Sequence, residues 1–385
     1  MLTSRERVLA ALEHREPDRA PIDLGGNQTG IHKTAYKRLL DYLGWTEEIE
    51  IMDLVQQLAK PSEAVLERLR VDTRYVSAGG PEGFDGGPVK AERGGRVWHD
   101  FTDEFGVVWS MPDDNPCFFD ISHSPLAGLS LDRIRDYPFP RGDDPTRFAG
   151  LRERALKIRQ KTPYCVVSGI SGVVYEICWY MRGFENLLVD MMERPEVVET
   201  IIERVLDFWL GWFRLFLDEV GDVVDVIMIG DDLAAQSGPV FSPSIYRSIV
   251  KPRQKRLVQY IKSRTKAKIW YHSCGSIREY IPDLLDNGVD ILNPVQISAR
   301  DMTPAGLKSG FGALVTFWGG GIDSQHALPY ASPEEVRAEV RRNIAAFMPG
   351  GGYVFNNVHN IQADVPPENV LALFDAAFEY GVYGR

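Results

Sequence analysis

The chain has 385 residues, of which 44% are hydrophobic and 25% are charged, and its formal net charge is −11. This is the composition of a globular protein with ample material for a core. An acidic chain without a basic run is not expected to bind nucleic acid or an anionic membrane surface. Its apolar runs fall well short of the ~20 residues that span a bilayer.

The cysteine spacing suggests no disulfide framework, which is typical of a reducing compartment. The four cysteines are Cys117, Cys165, Cys178 and Cys274. The first residues carry no apolar signal core. These features together predict a soluble, cytoplasmic protein.

The predicted elements open with a capped amphipathic helix over 3–12 and then alternate between strands and helices. Predicted strands lie at 21–26, 73–77, 164–169, 224–230, 267–272, 290–293, 313–318 and 353–356. Predicted helices lie at 33–43, 61–70, 176–180, 184–219, 243–264, 277–287, 303–309, 333–347 and 367–380. Near-continuous apolar strands that alternate with helices are typical of a parallel sheet buried on both faces. About eight such units favour an α/β fold, a single (β/α)8 TIM-type barrel domain over 1–385, rather than an open doubly wound sheet.

The alternation of predicted strands and helices is interrupted near residues 79–140, where glycine, proline and aspartate cluster. Short β-like pieces at 95–98 and 105–109 predict a hairpin within this segment. A segment of this size is marginal for independent folding. We therefore expect an insertion over one face of the barrel rather than a separate domain.

Polar side chains follow the ends of the predicted strands, which is where active sites form in this fold. Besides Asp23 and Ser171, the candidates for substrate binding are Asn27, Ser168, Gln236, Gln296, Asp323 and Asn356. A consistent run of such residues is hard to explain by stability alone. We expect these side chains to line the mouth of the barrel.

His272 and Cys274 end one predicted strand and are followed by Gly275. Side chains alternate along a strand, so both are expected to point the same way. Two soft ligands without a second nearby pair favour an open, catalytic zinc site over a closed structural one. His359, after the last strand, is the candidate third ligand, or alternatively orients a ligand or substrate.

Asp231 and Asp232 form a carboxylate pair at the end of the strand over 224–230. Such a pair orients a metal ligand or binds a cationic or hydroxyl-bearing group, and we name both as catalytic candidates beside His272 and Cys274. The alternative is structural, because one of them caps the turn that follows.

Several segments together resemble the uroporphyrinogen decarboxylase superfamily over nearly the whole chain. They are Ser4–Leu12 with Glu16–Pro21, Gly230–Leu233 with Gln236 and Ser242–Pro243, His272–Gly275, and His359–Gln362 with Val365–Asn369. The resemblance implies a (β/α)8 barrel. It also implies one of two activities: decarboxylases that need no cofactor, or zinc methyltransferases that move methyl groups to or from a corrinoid protein or onto a thiol.

Two features favour the methyltransferase branch. The decarboxylases carry N-terminal arginines that bind the carboxylates of the tetrapyrrole, whereas the matching residues 23–30 contain no arginine. The methyltransferases use a His-x-Cys pair and a distant Cys on zinc. His272 and Cys274 match the pair, and His359 stands in place of the distant Cys. A His₂Cys set makes zinc a stronger Lewis acid, which suits an ether or amine that must release its methyl group.

The sequence therefore predicts a zinc-dependent enzyme that moves a methyl group from a small methoxylated or N-methylated molecule to a Co(I) corrinoid. No Asp-x-His-x-x-Gly cobalamin motif occurs, so the corrinoid is expected on a separate protein. One alternative is metal-free decarboxylation of a tetrapyrrole, with Asp231 or Asp232 stabilising a pyrrole cation. Another is a catalytically degenerate barrel that binds a small molecule. A homo-oligomer is compatible with each.

Overall fold

A computed structural model describes residues 2–83, 86–170 and 172–384, so the predicted tip residue Ser171 lies outside the described residues. The helices are α1 (Ser4–Leu12), α2 (Lys33–Leu43), α3 (Glu63–Arg68), α4 (Leu131–Arg135), α5 (Leu151–Lys161), α6 (Tyr175–Arg182), α7 (Phe184–Glu193), α8 (Pro195–Val220), α9 (Pro243–Ile245), α10 (Lys251–Lys262), α11 (Ile281–Asn287), α12 (Pro304–Phe311), α13 (Ala327–Tyr330), α14 (Pro333–Phe347) and α15 (Pro367–Tyr380). The strands are β1 (Ile31–His32), β2 (Ile51–Asp53), β3 (Leu58–Ala59), β4 (Thr73–Val76), β5 (Val89–Arg93), β6 (Arg96–Thr102), β7 (Val108–Pro112), β8 (Asp120–His123), β9 (Cys165–Gly169), β10 (Val226–Gly230), β11 (Ala234–Ala235), β12 (Gly238–Pro239), β13 (Lys268–His272), β14 (Ile291–Asn293), β15 (Thr316–Trp318) and β16 (Tyr353–Val354).

A curled parallel sheet forms the centre of the molecule, in the order β16-β15-β14-β13-β10-β9-β4. The segment around Ile22 closes the ring between its two edges. Phe355 donates its N–H to the carbonyl of Pro21 at 2.8 Å, and Asp72 donates to the carbonyl of Ile22 at 2.8 Å. This confirms the predicted (β/α)8 barrel. The eighth strand is only a single bridge, from Ile22 to Phe355, and Pro21 has no N–H to extend it.

A cluster of buried apolar side chains fills the barrel below its mouth. The inner cluster includes Val167, Met228, Trp270, Trp318 and Val354, together with residues of α1. The rings of Trp270 and Trp318 stack with centroids 4.8 Å apart. Helix α1 therefore closes the N-terminal end of the barrel, and the opposite end carries the polar strand tips.

Two long helical predictions need correction. The stretch predicted over 184–219 is two helices, α7 and α8, because Pro195 disfavours helical geometry at the residue before it and Arg194 has φ −144°. The stretch predicted over 243–264 contains a π-helical turn at Tyr246–Val250 between α9 and α10.

The insertion near 79–140 contains a four-stranded antiparallel sheet in the order β5-β6-β7-β8, which confirms the predicted hairpin. Its inner side chains Trp109, Met111 and Phe119 are buried and belong to the main hydrophobic core. The insertion therefore shares its core with the barrel. Among the described residues, no helix has the length and apolar character needed to cross a membrane.

Candidate metal centre

His272, Cys274 and His359 converge at the mouth of the barrel. One donor atom from each side chain lies within 4.8 Å of those of the other two. The Cys274 Sγ is 3.5 Å from the His272 Nε2. The two imidazole rings meet edge to face with centroids 5.2 Å apart. The His272 and Cys274 side chains thus point the same way, as the strand alternation predicts.

The turn after β13 holds Cys274 beside His272. Gly275 has φ +83°, and a Cβ at this position would lie 2.4 Å from the carbonyl oxygen of Ala234. Only glycine combines this backbone conformation with such a close approach. Gln296 accepts a hydrogen bond from the Gly275 N–H at 2.7 Å. Gln296 therefore supports the turn, a role different from the predicted substrate contact.

A neighbour on the next strand sets the tautomer of His272. Asn293 lies opposite His272 in the parallel register, and its amide donates to the carbonyl of Trp318 at 3.0 Å. The Asn293 Oδ1 consequently faces the His272 Nδ1 at 2.6 Å and accepts a hydrogen bond from its N–H. The Nε2 lone pair is left facing Cys274, and burial lowers the pKa of His272 to about 4. A neutral imidazole with a free Nε2 is the form that binds a metal.

His359 lies in the left-handed region with φ +61°, a conformation that costs a non-glycine residue roughly 1 kcal/mol or more. The following residue, Asn360, anchors the loop. It accepts from the Gly30 N–H at 2.6 Å and donates to the carbonyl of Asn27 at 3.0 Å. Burial, followed by the nearby His272, lowers the pKa of His359 to about 3. The loop thus holds a second neutral imidazole toward the cluster.

The donor set suits zinc. A tetrahedral zinc ion places a cysteine sulfur and a histidine nitrogen about 3.5 Å apart, which is the separation found between Cys274 and His272. Burial raises the pKa of the Cys274 thiol well above its usual value. A divalent cation would remove this penalty by binding the thiolate. His272 is 2% exposed, whereas Cys274 and His359 are partly exposed at the mouth.

Asp232 lies against the cluster. Its Oδ1 accepts the Cys274 N–H at 2.7 Å and lies 3.7 Å from the His272 Nε2. The side chain is 40% exposed, and desolvation raises its pKa. Asp232 is therefore placed to orient the cysteine and to face a bound molecule.

Glu176 on α6 is a candidate that the sequence analysis missed. Its pKa is raised well above the usual value by desolvation and then by the nearby charges of Asp232 and Asp231. The Tyr180 hydroxyl donates to its Oε1 at 3.3 Å. A glutamate in the first turn of a helix is common on protein surfaces, so its sequence context gave no indication of this location.

Asp231 has a structural role that differs from the predicted catalytic one. Its Oδ1 accepts three N–H groups at the start of α6, at 2.7 to 3.0 Å. Its Oδ2 accepts from Gln254 at 2.8 Å and from the Tyr271 hydroxyl at 3.3 Å. Asp231 is fully buried, and its carboxylate is committed to these five donors. It caps α6 rather than the turn that directly follows it, and so positions the helix that carries Glu176.

The other predicted substrate residues are scattered. Ser168 donates to the carbonyl of Val76, and Asn356 donates to the carbonyl of Asp23. Asp323 accepts from the Gln325 N–H and contacts His326. Gln236 is exposed and donates to Gln325 at 2.7 Å.

A cavity of about 640 Å³ opens next to the tips of β4 and β9. Asn27 and Ser168 line it, whereas Gln236, Gln296, Asp323 and Asn356 are not among its described lining residues. The three donor residues of the cluster do not line it either. The metal-ligand cluster and this cavity therefore have no described lining residue in common.

The sequence pattern of the family described as uroporphyrinogen decarboxylase (URO-D) matches residues 128–380, more than half of the chain. The chain belongs to the uroporphyrinogen decarboxylase (URO-D) family. A relative named uroporphyrinogen decarboxylase from Alkalilimnicola ehrlichii is 48% identical over 281 residues, which cover 70% of each protein. One from Psychromonas ingrahamii is 24% identical over 224 residues, 55% of this chain and 58% of that protein. The chain thus spans little more than half the length of some curated relatives in the URO-D family.

A solved structure titled methyltransferase from Methanosarcina mazei aligns with this URO-D family chain at a TM-score of 0.65. The two are 18% identical, and the alignment covers 99% of each chain. At this identity the likeness shows a shared fold alone. It places the whole chain, including the insertion, within an architecture that the solved protein also has.

Proposed function

We propose that this URO-D family member is a zinc-dependent methyltransferase that moves a methyl group from a small methoxylated or N-methylated substrate to the Co(I) corrinoid of a separate protein. The observation that carries the proposal is the convergence of His272, Cys274 and His359 within 4.8 Å. A metal-free decarboxylase has no need of two imidazoles and a thiol assembled in this way.

His272, Cys274 and His359 would hold the ion. The chemistry that zinc supplies when bound is Lewis-acid withdrawal of electron density from the oxygen or nitrogen that carries the methyl group. Asn293 keeps the His272 Nε2 available by accepting a hydrogen bond from the Nδ1–H. Asp232 fixes the cysteine backbone and presents a carboxylate at the mouth. Glu176, whose pKa desolvation raises well above its usual value, lies beside Asp232.

Decarboxylation of a tetrapyrrole is the second candidate, since the relatives named above are decarboxylases. A substrate of this class carries many carboxylates and needs a cationic site. Among the described residues, the cavity is lined by as many acidic as basic side chains. The segment over 23–30, where the decarboxylases carry arginines, has none. These features favour methyl transfer.

The test is methyl transfer to free cob(I)alamin from a panel of methoxylated and N-methylated compounds. The change in the cobalamin absorption spectrum measures the transfer. We expect turnover by the zinc-loaded protein, and a loss of at least about 100-fold in His272→Ala and Cys274→Ala. Gln236→Ala serves as the control, because this amide is exposed and bonds only to Gln325 among the described residues.

Two results would contradict the proposal. One is full methyl transfer by metal-free protein. The other is decarboxylation of a uroporphyrinogen by metal-free protein together with no methyl transfer from any donor. Binding of a small molecule without turnover of either kind would instead support the catalytically degenerate barrel.

A further inference from the structure

Helix α7 presents a stripe of apolar side chains to solvent. Phe184 is 47% exposed, Val189 42% and Met192 77%, and the partly buried Leu188 lies among them. Phe184, Leu188 and Met192 are each four residues apart, so they share one side of the helix. No other helix in the described part of the chain has more than one exposed large hydrophobic residue. We call Phe184, Leu188, Val189 and Met192 the α7 face, because a contiguous apolar surface of this kind marks an interaction site.

The opposite side of α7 is anchored in the interior of the protein. Asp190 is fully buried and accepts a hydrogen bond from the Arg182 Nε of α6 at 2.8 Å. Arg182 also donates to the carbonyl of Leu129 in the insertion at 3.0 Å. Leu187 and Met191 belong to the main hydrophobic core. Rotation of α7 would unpair a buried charge, so these contacts keep the apolar stripe on the outside.

Two acidic side chains adjoin the α7 face. Glu185 and Glu193 are exposed, and each directly follows a residue of the α7 face. Neither has an ionic or hydrogen-bonding side-chain partner among the described residues. Arg194, the cation next to Glu193, pairs instead with the buried Asp190 at 2.5 Å. The α7 face is therefore an apolar surface with uncompensated negative charge beside it.

This charge selects among the possible occupants of the α7 face. In a two-fold contact between two copies of the chain the face would meet itself, and the acids of one copy would lie against those of the other. An anionic membrane surface would repel the same acids. A helix with an apolar stripe flanked by lysine or arginine would bury the exposed side chains and supply the missing cations.

We propose that the α7 face binds an amphipathic helix of a partner protein, and that this helix carries basic residues beside its apolar stripe. The apolar side chains of the partner helix pack on Phe184, Leu188 and Met192, and its cations pair with Glu185 and Glu193. The anchored side of α7 holds the surface ready for binding, so little ordering is needed when the helix docks. Such binding does not depend on the reaction at the metal centre.

The test is fluorescence anisotropy of a labelled peptide of about 15–20 residues, a length that allows a helix to form. The peptide has leucines in one helical stripe and lysines beside it. A second peptide carries glutamate in place of every lysine, and vesicles that contain phosphatidylserine form the third probe. We expect the protein to bind the lysine peptide and neither of the other two probes.

The apolar contact is tested by Phe184→Ser combined with Met192→Ser. This pair removes exposed apolar surface and is expected to weaken binding of the lysine peptide by about tenfold or more, with the fold retained by circular dichroism. The matched control is Leu314→Ser combined with Tyr330→Ser, since these side chains are 63% and 75% exposed elsewhere on the molecule. We expect the control to bind the peptide like the unmodified protein.

The charge contact is tested by Glu185→Lys combined with Glu193→Lys. At low ionic strength, where screening is weak, this pair is expected to weaken binding of the lysine peptide by about tenfold or more. The control is Glu48→Lys combined with Glu92→Lys, because both of these acids are exposed on other segments. Equal weakening by both pairs would show attraction to the acidic surface in general and would overturn the proposal.

The remaining outcomes also decide the proposal. It is overturned if the lysine peptide does not bind, if both peptides bind equally, or if the pair of serine substitutions on α7 leaves binding unchanged. Binding of the vesicles would identify a membrane as the occupant. Sedimentation that shows a dimer of the unmodified protein and a monomer of the serine variant would identify a second copy. Either result overturns the basic helix, and the cob(I)alamin assay decides methyl transfer separately.

Discussion

At the scale of single residues, the imidazole of His272 depends on Asn293. The Asn293 amide is oriented by its bond to Trp318, so its oxygen faces the Nδ1 of His272. Removing that oxygen frees the ring to rotate and to change tautomer. Second-sphere partners of this kind typically contribute 10–100-fold to metal affinity.

We predict that Asn293→Ala lowers zinc affinity by about 10–100-fold without unfolding the protein. Competition with a chromophoric chelator measures the change. Gln236→Ala, a change of another amide near the mouth, is expected to leave the affinity unaltered because its partner is Gln325. Equal zinc affinity in Asn293→Ala and the unmodified protein would show that the Asn293 bond does not orient a ligand.

At the scale of elements, the start of α6 depends on a carboxylate from another part of the chain. Asp231 follows β10, yet it accepts the N–H groups of the first turn of α6. The sequence around α6 supplies no side-chain cap of its own. Strand β10 therefore fixes both the helix and the position of Glu176 through one buried side chain.

We predict that Asp231→Ala lowers the free energy of unfolding by about 2–4 kcal/mol, because it removes a cap and leaves Gln254 and Tyr271 without their acceptor. Urea unfolding measures the loss. Ser130→Ala is the matched control, since Ser130 precedes α4 but makes no capping hydrogen bond. Similar losses in the two variants would refute the capping role.

The sequence predicts elements best where they carry their own local pattern. The capping residues Thr3 and Glu6 mark the start of α1, and the apolar runs mark each barrel strand. The sequence could not predict the three-dimensional partners. The short strands β1 to β3 have too few residues for a recognisable period, and the role of Asp231 depends on a helix more than 50 residues earlier.

In the candidate site, too, local sequence pattern predicts some features, whereas others depend on contacts between distant segments. His272 ends β13 and Cys274 follows two residues later in the adjoining turn, so their alignment follows from local geometry. The proximity of His359 follows from closure of the barrel. Gln236 and Asp323 follow strands as predicted, but the loops carry them to other contacts. Position after a strand does not determine which way a loop residue faces.

At the scale of the whole molecule, a buried ionic network joins helix α1 and the segment around Ile22 to the start of β4. Asp72 accepts from Arg7 of α1 and from Arg19, each at 2.7 Å. It also accepts the Ile22 N–H at 2.9 Å. Asp72, the residue before β4, is fully buried, so its carboxylate links helix α1 and the segment around Ile22 to β4.

We predict that Asp72→Asn lowers the free energy of unfolding by about 3–5 kcal/mol, because Arg19 loses its buried counter-charge and Arg7 keeps only the partly exposed Asp18. Asp41→Asn is the control: Asp41 pairs with Lys37 at the surface with both side chains about 60% exposed, and the expected loss is within ~0.5 kcal/mol. Urea unfolding measures the free energy of unfolding of both variants. Equal values for Asp72→Asn and Asp41→Asn would show that closure of the barrel does not depend on this network.

The most direct test of the metal centre is the zinc content of the freshly purified protein, measured by elemental mass spectrometry beside His272→Ala and Cys274→Ala. The metal centre described above predicts about one zinc ion per chain in the unmodified protein and a large loss of zinc in each variant, with the fold retained by circular dichroism. Zinc absent from the unmodified protein even after incubation with zinc salts, or zinc retained equally by both variants, would contradict it.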